Sequence, residues 1–247
     1  MYRPAAGGGT EFIELMNIGA QTIDLTGCSF TNGIEFDFTA GTTLAAGARL
    51  VIQQAQFLNA TALRNEGELI TLSGPSGIIR SCTYDSVAPW PLAPNGLGPS
   101  LVLLAPATNP DHSNPANWRA STSTGGNPGT SDAVPLIGSP IADNDADGLL
   151  ALIEYALGTS DTAPSPAPPI TFAANIYTVD HARTADDAIL AAEVSANLLT
   201  WRTDTAALTQ LSTQPLSATQ SRTTWQLGVD FIRQPKTFFR LRATLRQ

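Results

Sequence analysis

"GELITLSGPSGIIRSCTYDS", residues 67 to 86, reads as two strand-forming runs folded about Gly74-Pro75-Ser76-Gly77. Ile, Thr and Tyr suit the half-buried face of a sheet, and a Gly/Pro/Ser cluster between such runs marks a reversal of the chain. The stretch therefore predicts an antiparallel hairpin. Outward from it, "EFIELMN" (11–17) alternates, "QTIDLTGCSF" (21–30) follows Gly19, and "IEFDF" (34–38) follows Asn32-Gly33. "ARLVIQQ" (48–54) follows Gly47, and "PSLVLLAP" (99–106) closes the series. Short strands at this spacing, separated by turn formers, predict an antiparallel sandwich or barrel. Pro106 and Pro110 end the last strand, because neither can donate to a ladder.

Residues 105 to 140 read as loop, with Trp118 expected to pack back onto the sandwich. An acidic stretch then opens a short helix from Gly148 to Leu157, with Gly158 as its C-cap. "TAPSPAPP" (162–169) reads as a stiff proline-rich spacer and a domain boundary. Beyond it "ITFAANIYTV", "AILAAEVSANLLTW", "RTTWQLGV" and "TFFRLRATL" again predict strands, although the apolar run at 188–194 is also compatible with a helix. The organisation expected is a sandwich over 1–132, an acidic loop and short helix over 133–161, the spacer at 162–169, and a smaller β-rich domain over 170–247.

The composition, 43% hydrophobic and 14% charged, is that of a folded chain, since disorder needs less apolar material and more charge. A net charge of −8 disfavours binding to nucleic acid or anionic lipid. From Arg222 onward six basic residues face one acid, so that tail carries +5 and the rest of the chain −8 − 5 = −13. No run approaches the ~20 apolar residues of a membrane span. The opening "MYRPAAGGGTEF" lacks a signal-peptide layout and starts within an apparent strand, so a monomeric fragment of a longer protein is expected. Cys28 and Cys82 are two buried thiols or a single bridge.

The strongest chemical signal is "IADNDADGLLALIEYALG", residues 141 to 158. Calcium prefers six to eight oxygen ligands, and a twelve-residue loop supplies them with acids at positions one, three and five and a glutamate at twelve. Asp143, Asp145, Asp147 and Glu154 stand at those positions. Gly148 occupies the sixth position, where the chain must turn sharply, and the Leu149 carbonyl the seventh, with Ala151 at the ninth acting through water. An acid-rich linker favouring a helix N-terminus would explain the aspartates, but not the glycine and glutamate at these offsets. The preceding "AVPLIGSP" carries two prolines, so only the exiting half of a helix–loop–helix pair is expected.

The loop is similar to those of dockerins and type 3 thrombospondin repeats, and to a "D-x-D-x-D-G-L…EYALGT" junction of large bacterial secreted proteins. That resemblance implies an extracellular address. The ordered segments "EFIELMN", "IDLTGCSF", "FTAGTTLAAGARLVI", "GELITLSGPSGIIRSCTYDS", "WPLAPNGLGPSLVLL", "NPANWRAS" and "GGNPG" resemble the bacterial lamin-tail domain over residues 1 to 132. The resemblance implies an immunoglobulin-like β-sandwich and a surface for binding partners, with no catalytic residues. Cys28 departs from the pattern, standing where the family commonly has Trp.

Catalytic machinery is not expected. His112 and His181 each neighbour an aspartate of turn type, no G-x-S-x-G turn marks a serine, and Glu11 and Glu14 face opposite sides of a strand. Trp90 and Trp118 either plug the sandwich or form a sugar-stacking platform. Arg240, Arg242 and Arg246 form either a solvated strand face or an anion-binding strip. The reading is a mainly β, non-enzymatic module of a secreted or cell-surface protein that binds an unknown protein or glycan and holds structural Ca2+. The alternative is an accessory carbohydrate-binding region of a larger secreted hydrolase.

Overall fold

The computed structural model describes residues 1–166 and 170–246, so part of the expected spacer, 167–169, lies outside the described residues. The chain divides into two compact units, Met1–Asp132 and Ala133–Gln247.

The first unit is an immunoglobulin-like β-sandwich. Its strands are β1 (Phe12–Met16), β2 (Ile23–Asp24), β3 (Ser29–Asn32), β4 (Phe36–Asp37), β5 (Thr43–Leu44) and β6 (Arg49–Gln53). They continue as β7 (Gly67–Gly74), β8 (Gly77–Asp85), β9 (Leu101–Leu103) and β10 (Trp118–Ala120). The hairpin expected at 67–86 forms the β7–β8 half of a four-stranded sheet in the order β4-β3-β7-β8. Antiparallel pairs β1-β6, β2-β5 and β9-β10 complete the layers. Ile13, Leu15, Leu50 and Ile52 from β1 and β6 meet Phe30, Leu72 and Tyr84 in one core, with Ile34, Phe38 and Trp90.

Two expectations change here. "QTIDLTGCSF" is two strands, not one, because Asp24 Oδ1 accepts from both the Thr26 N–H (2.9 Å) and its hydroxyl (2.6 Å), which turns the chain before Cys28. The loop at 105–140 contains β10, which pairs with β9 from Trp118↔Leu103 to Ala120↔Leu101. Both cysteines are free thiols, Cys28 buried and Cys82 half-buried, and burial pushes the Cys82 thiol above its usual range.

The second unit comprises α1 (Ala151–Leu157), β11 (Thr171–Ala173), β12 (Ile176–Ala182), β13 (Ala188–Ser195), β14 (Leu208–Pro215) and β15 (Gln220–Leu227), followed by α2 (Val229–Ile232) and β16 (Phe238–Leu245). A four-stranded sheet, β11-β12-β15-β14, and a pair, β13-β16, enclose the core. β11 and β12 join through Ala174 and Asn175, both at positive φ (50° and 65°), the conformation a two-residue hairpin requires. The apolar run at 188–194 is strand. Leu190, Ala192 and Val194 enter the core while Ile189 stays 41% exposed, a period of two that no helix gives. Tyr177, Val179, Trp225 and Leu227 face them from the other sheet, and α1 adds Leu157 and Ile153.

Candidate metal centre

The acidic loop folds on its own carboxylates. Asp143 Oδ2 accepts the Gly148 N–H (3.2 Å), Asp145 Oδ1 accepts the Asp147 N–H (3.2 Å), and Asp147 Oδ1 accepts the Leu149 N–H (2.9 Å). The reversal depends on Gly148, whose φ of +94° would strain any side chain. The first N–H groups of α1 close the ring: Ala151 donates to the Ala142 carbonyl (2.7 Å) and Leu152 to that of Pro140 (3.1 Å).

One carboxylate oxygen from each of Asp143, Asp145 and Asp147 then lies within 4.8 Å of the others. Two ligands about 2.4 Å from one calcium ion stand at most about 4.8 Å apart, so the spacing fits a shared cation. No other three His, Cys, Asp or Glu side chains meet this closely among the described residues.

Glu154 lies outside that trio, on α1, with a relative exposure of 0%. Its Oε1 accepts from the Thr159 hydroxyl at 3.2 Å, but its Oε2 is shielded from solvent without a hydrogen-bond partner, as is Asp145 Oδ2. Orphaned buried oxygens of this kind are costly, and a cation would satisfy them. Burial raises the Glu154 carboxyl above the usual carboxylate range, and the charges of Asp145, Asp147 and Asp161 raise it further against the Thr159 bond.

After α1 the chain doubles back. Gly158 takes a left-handed φ of 77°, its N–H reaching the Glu154 carbonyl at 2.7 Å, as the C-cap expectation requires. This return brings Asp161 Oδ2 within 2.5 Å of the Asn144 side-chain amide and the Ser165 N–H within 3.1 Å of Asp147 Oδ2. Sequence reasoning assigned no role to Thr159, Asp161 or Ser165. The only signal for them was a further acid and two hydroxyl residues just past the cap.

No catalytic geometry appears among the described residues. His112 Nδ1 bonds the Pro110 carbonyl (2.7 Å), and His181 bonds the Thr223 hydroxyl (2.8 Å) and the Ala182 carbonyl (3.0 Å). Burial lowers the pKa of both histidines. Glu11 accepts the Leu63 N–H at 2.7 Å, and Glu14 pairs with Arg49. Trp90 is buried in the sandwich core, 6.1 Å between ring centres from Trp118, whose indole N–H donates to the His112 carbonyl. The plug reading holds for this pair. On β16, Arg240 and Arg242 both reach Glu193, and just beyond the strand the Arg246 guanidinium donates to the Asp186 carbonyl at 3.2 Å.

Residues 1–86 match the family described as Lamin Tail Domain. The N-terminal part of the chain is a lamin tail domain. Neither the curated proteins nor the solved structures yield a match. The lamin tail domain is a non-catalytic module of immunoglobulin-like fold. The match ends at Ser86, short of the 132 residues over which the resemblance was expected to run. The structural unit itself continues through β9 and β10 to Asp132. No helix among the described residues is long and apolar enough to cross a membrane.

Proposed function

We propose that the chain is a non-enzymatic binding or anchoring module of a secreted or cell-surface protein, with a structural calcium site at Asp143, Asp145, Asp147, Leu149 and Glu154. The observation that carries the metal reading is the convergence of three aspartates in front of a helix whose glutamate keeps a buried oxygen unpaired. Calcium suits the site better than magnesium. A flexible loop of carboxylates and carbonyls accommodates six to eight oxygens, whereas magnesium demands a tight octahedron and gives up its water reluctantly. The lamin tail domain supports the non-enzymatic half of the reading, since such domains act as surface or adhesion modules. A protein or glycan at the cell surface is the partner class we assign, because a net charge of −8 opposes polyanions.

Isothermal titration of the whole chain tests the metal. One calcium site is expected, with weaker magnesium binding, and Asp143→Ala and Glu154→Ala should each abolish the calcium signal. Unchanged binding in both variants would sink the assignment.

A further inference from the structure

The helix that carries Glu154 is also part of the second sandwich. α1 packs against β12, β13 and β16. Ala151, Ala156 and Leu157 are buried, and Leu157 and Ile153 join the core of Tyr177, Val194 and Trp225. Tyr155, also on α1, donates its hydroxyl to the Val134 carbonyl at 2.6 Å and accepts the Asp187 N–H at 3.3 Å. The same seven residues thus hold the segment that enters the unit and the chain leading into β13.

A helix of this length has no stability of its own and persists only through its packing and its tethered ends. One side chain opposes that packing. To dock its apolar face, α1 must carry the fully enclosed Glu154 with it, with Oε2 unpaired. Burying a carboxylate oxygen with no partner disfavours the docked helix. A divalent cation in the loop removes that penalty.

We infer that cation binding at 143–154 governs the folding of the whole second unit, and leaves the lamin tail domain unaffected. The inference rests on the calcium reading and goes beyond it: a cation that only stiffened a linker would not alter β12, β13 or β16. Metal-free, α1 is loosely held and both sheets of the second unit lose one wall of their core. Calcium-bound, Glu154 becomes a ligand and α1 closes the sandwich.

Hydrogen–deuterium exchange on the full chain, in calcium and in chelator, tests this alongside titration. Calcium should slow exchange about tenfold or more in β12, β13, β15 and β16 and leave β1 to β8 unchanged. Asp143→Asn, at an exposed position, should make the protein in calcium exchange like wild type in chelator. Glu154→Gln should lose the calcium response of the second unit. A calcium titration signal with no change in second-unit exchange overturns this inference and leaves the calcium reading standing. Wild-type protection of Asp143→Asn in calcium also overturns it. No calcium signal at all overturns the calcium reading, and this inference with it.

Discussion

Asp132 grips Arg119 through both of its carboxylate oxygens and also accepts the Thr122 N–H at 2.7 Å, tying the last residue of the first unit to β10. Burial alone would raise the Asp132 carboxyl. The Arg119 bonds, the Thr122 bonds and the Arg119 charge outweigh burial and hold it at about 2, against an ordinary value of 3.8. A folded-state pKa below the unfolded one gives stability that is present above about pH 4 and is lost as pH falls toward 2. The shift corresponds to about 2 kcal/mol. Acid titration of unfolding, followed by Trp90 and Trp118 fluorescence, should therefore show the first unit weakening between pH 4 and 2. Asp132→Asn should flatten that dependence.

Removing the other partner should cost more. Arg119→Met leaves a carboxylate that is 12% exposed without its cation. Breaking a buried pair from one side typically costs about 3 kcal/mol or more. Urea unfolding is expected to show a loss for both variants at pH 7, smaller for Asp132→Asn, because the asparagine can still accept from Thr122 and Arg119 keeps its bond to the Ala120 carbonyl at 3.2 Å. Equal losses would mean that the pair acts only through packing.

The return of the chain after α1 gives a prediction about metal affinity that the twelve-residue loop does not. Asp161 bonds Asn144 inside the loop and adds a negative charge beside Glu154. Asp161→Asn removes that charge, so calcium affinity should fall severalfold, and the loss should shrink at high salt because a half-buried charge is still partly screened. Limited proteolysis offers a second measure. Cutting within 159–166 should quicken on chelation in wild type, as the Ser165–Asp147 and Asn144–Asp161 bonds depend on a folded loop.

How far the sequence could be read depends on where each element draws its stability. The β7–β8 hairpin and α1 were legible because local chemistry specifies them, through Gly74-Pro75-Ser76-Gly77 in one case and the spaced aspartates with Gly158 in the other. β10 was not, because three residues between prolines are extended only through pairing with β9 and the burial of Trp118 against the core. β14 gave no signal either. "LTQLSTQP" is polar, and Ser212 and Thr213 hold it by hydroxyl contacts to Thr224 and Thr223 at 3.0 and 2.8 Å. In the acidic loop, residue spacing was enough to pick out the three aspartates that the fold clusters. The contributions of Thr159, Asp161 and Ser165 arise only once the chain has folded back, and no linear pattern records them.

The arginines of β16 supply the last test, and it turns on Glu193. This carboxylate, 10% exposed, accepts from Arg240 at 2.6 Å and lies 3.8 Å from Arg242, while Arg240 also stacks 4.0 Å above the Trp201 ring. The two arginine side chains are 45% and 61% exposed, so water can solvate them if the acid is removed. The reverse is not true of Glu193. Arg240→Ala should therefore destabilise the second unit by about 2 kcal/mol, through a carboxylate left with only the more distant Arg242 and a lost cation–π contact, whereas Glu193→Gln should cost less than about 1 kcal/mol. The anion-binding alternative makes a separate demand. In wild type Glu193 neutralises part of the strip, and little heparin retention is expected at low salt. Glu193→Gln frees both guanidinium groups and should shift elution to higher salt, because each released charge adds an ionic contact. Firm retention of the wild type, abolished by Arg240→Ser with Arg242→Ser, would instead establish the strip as a native anion site.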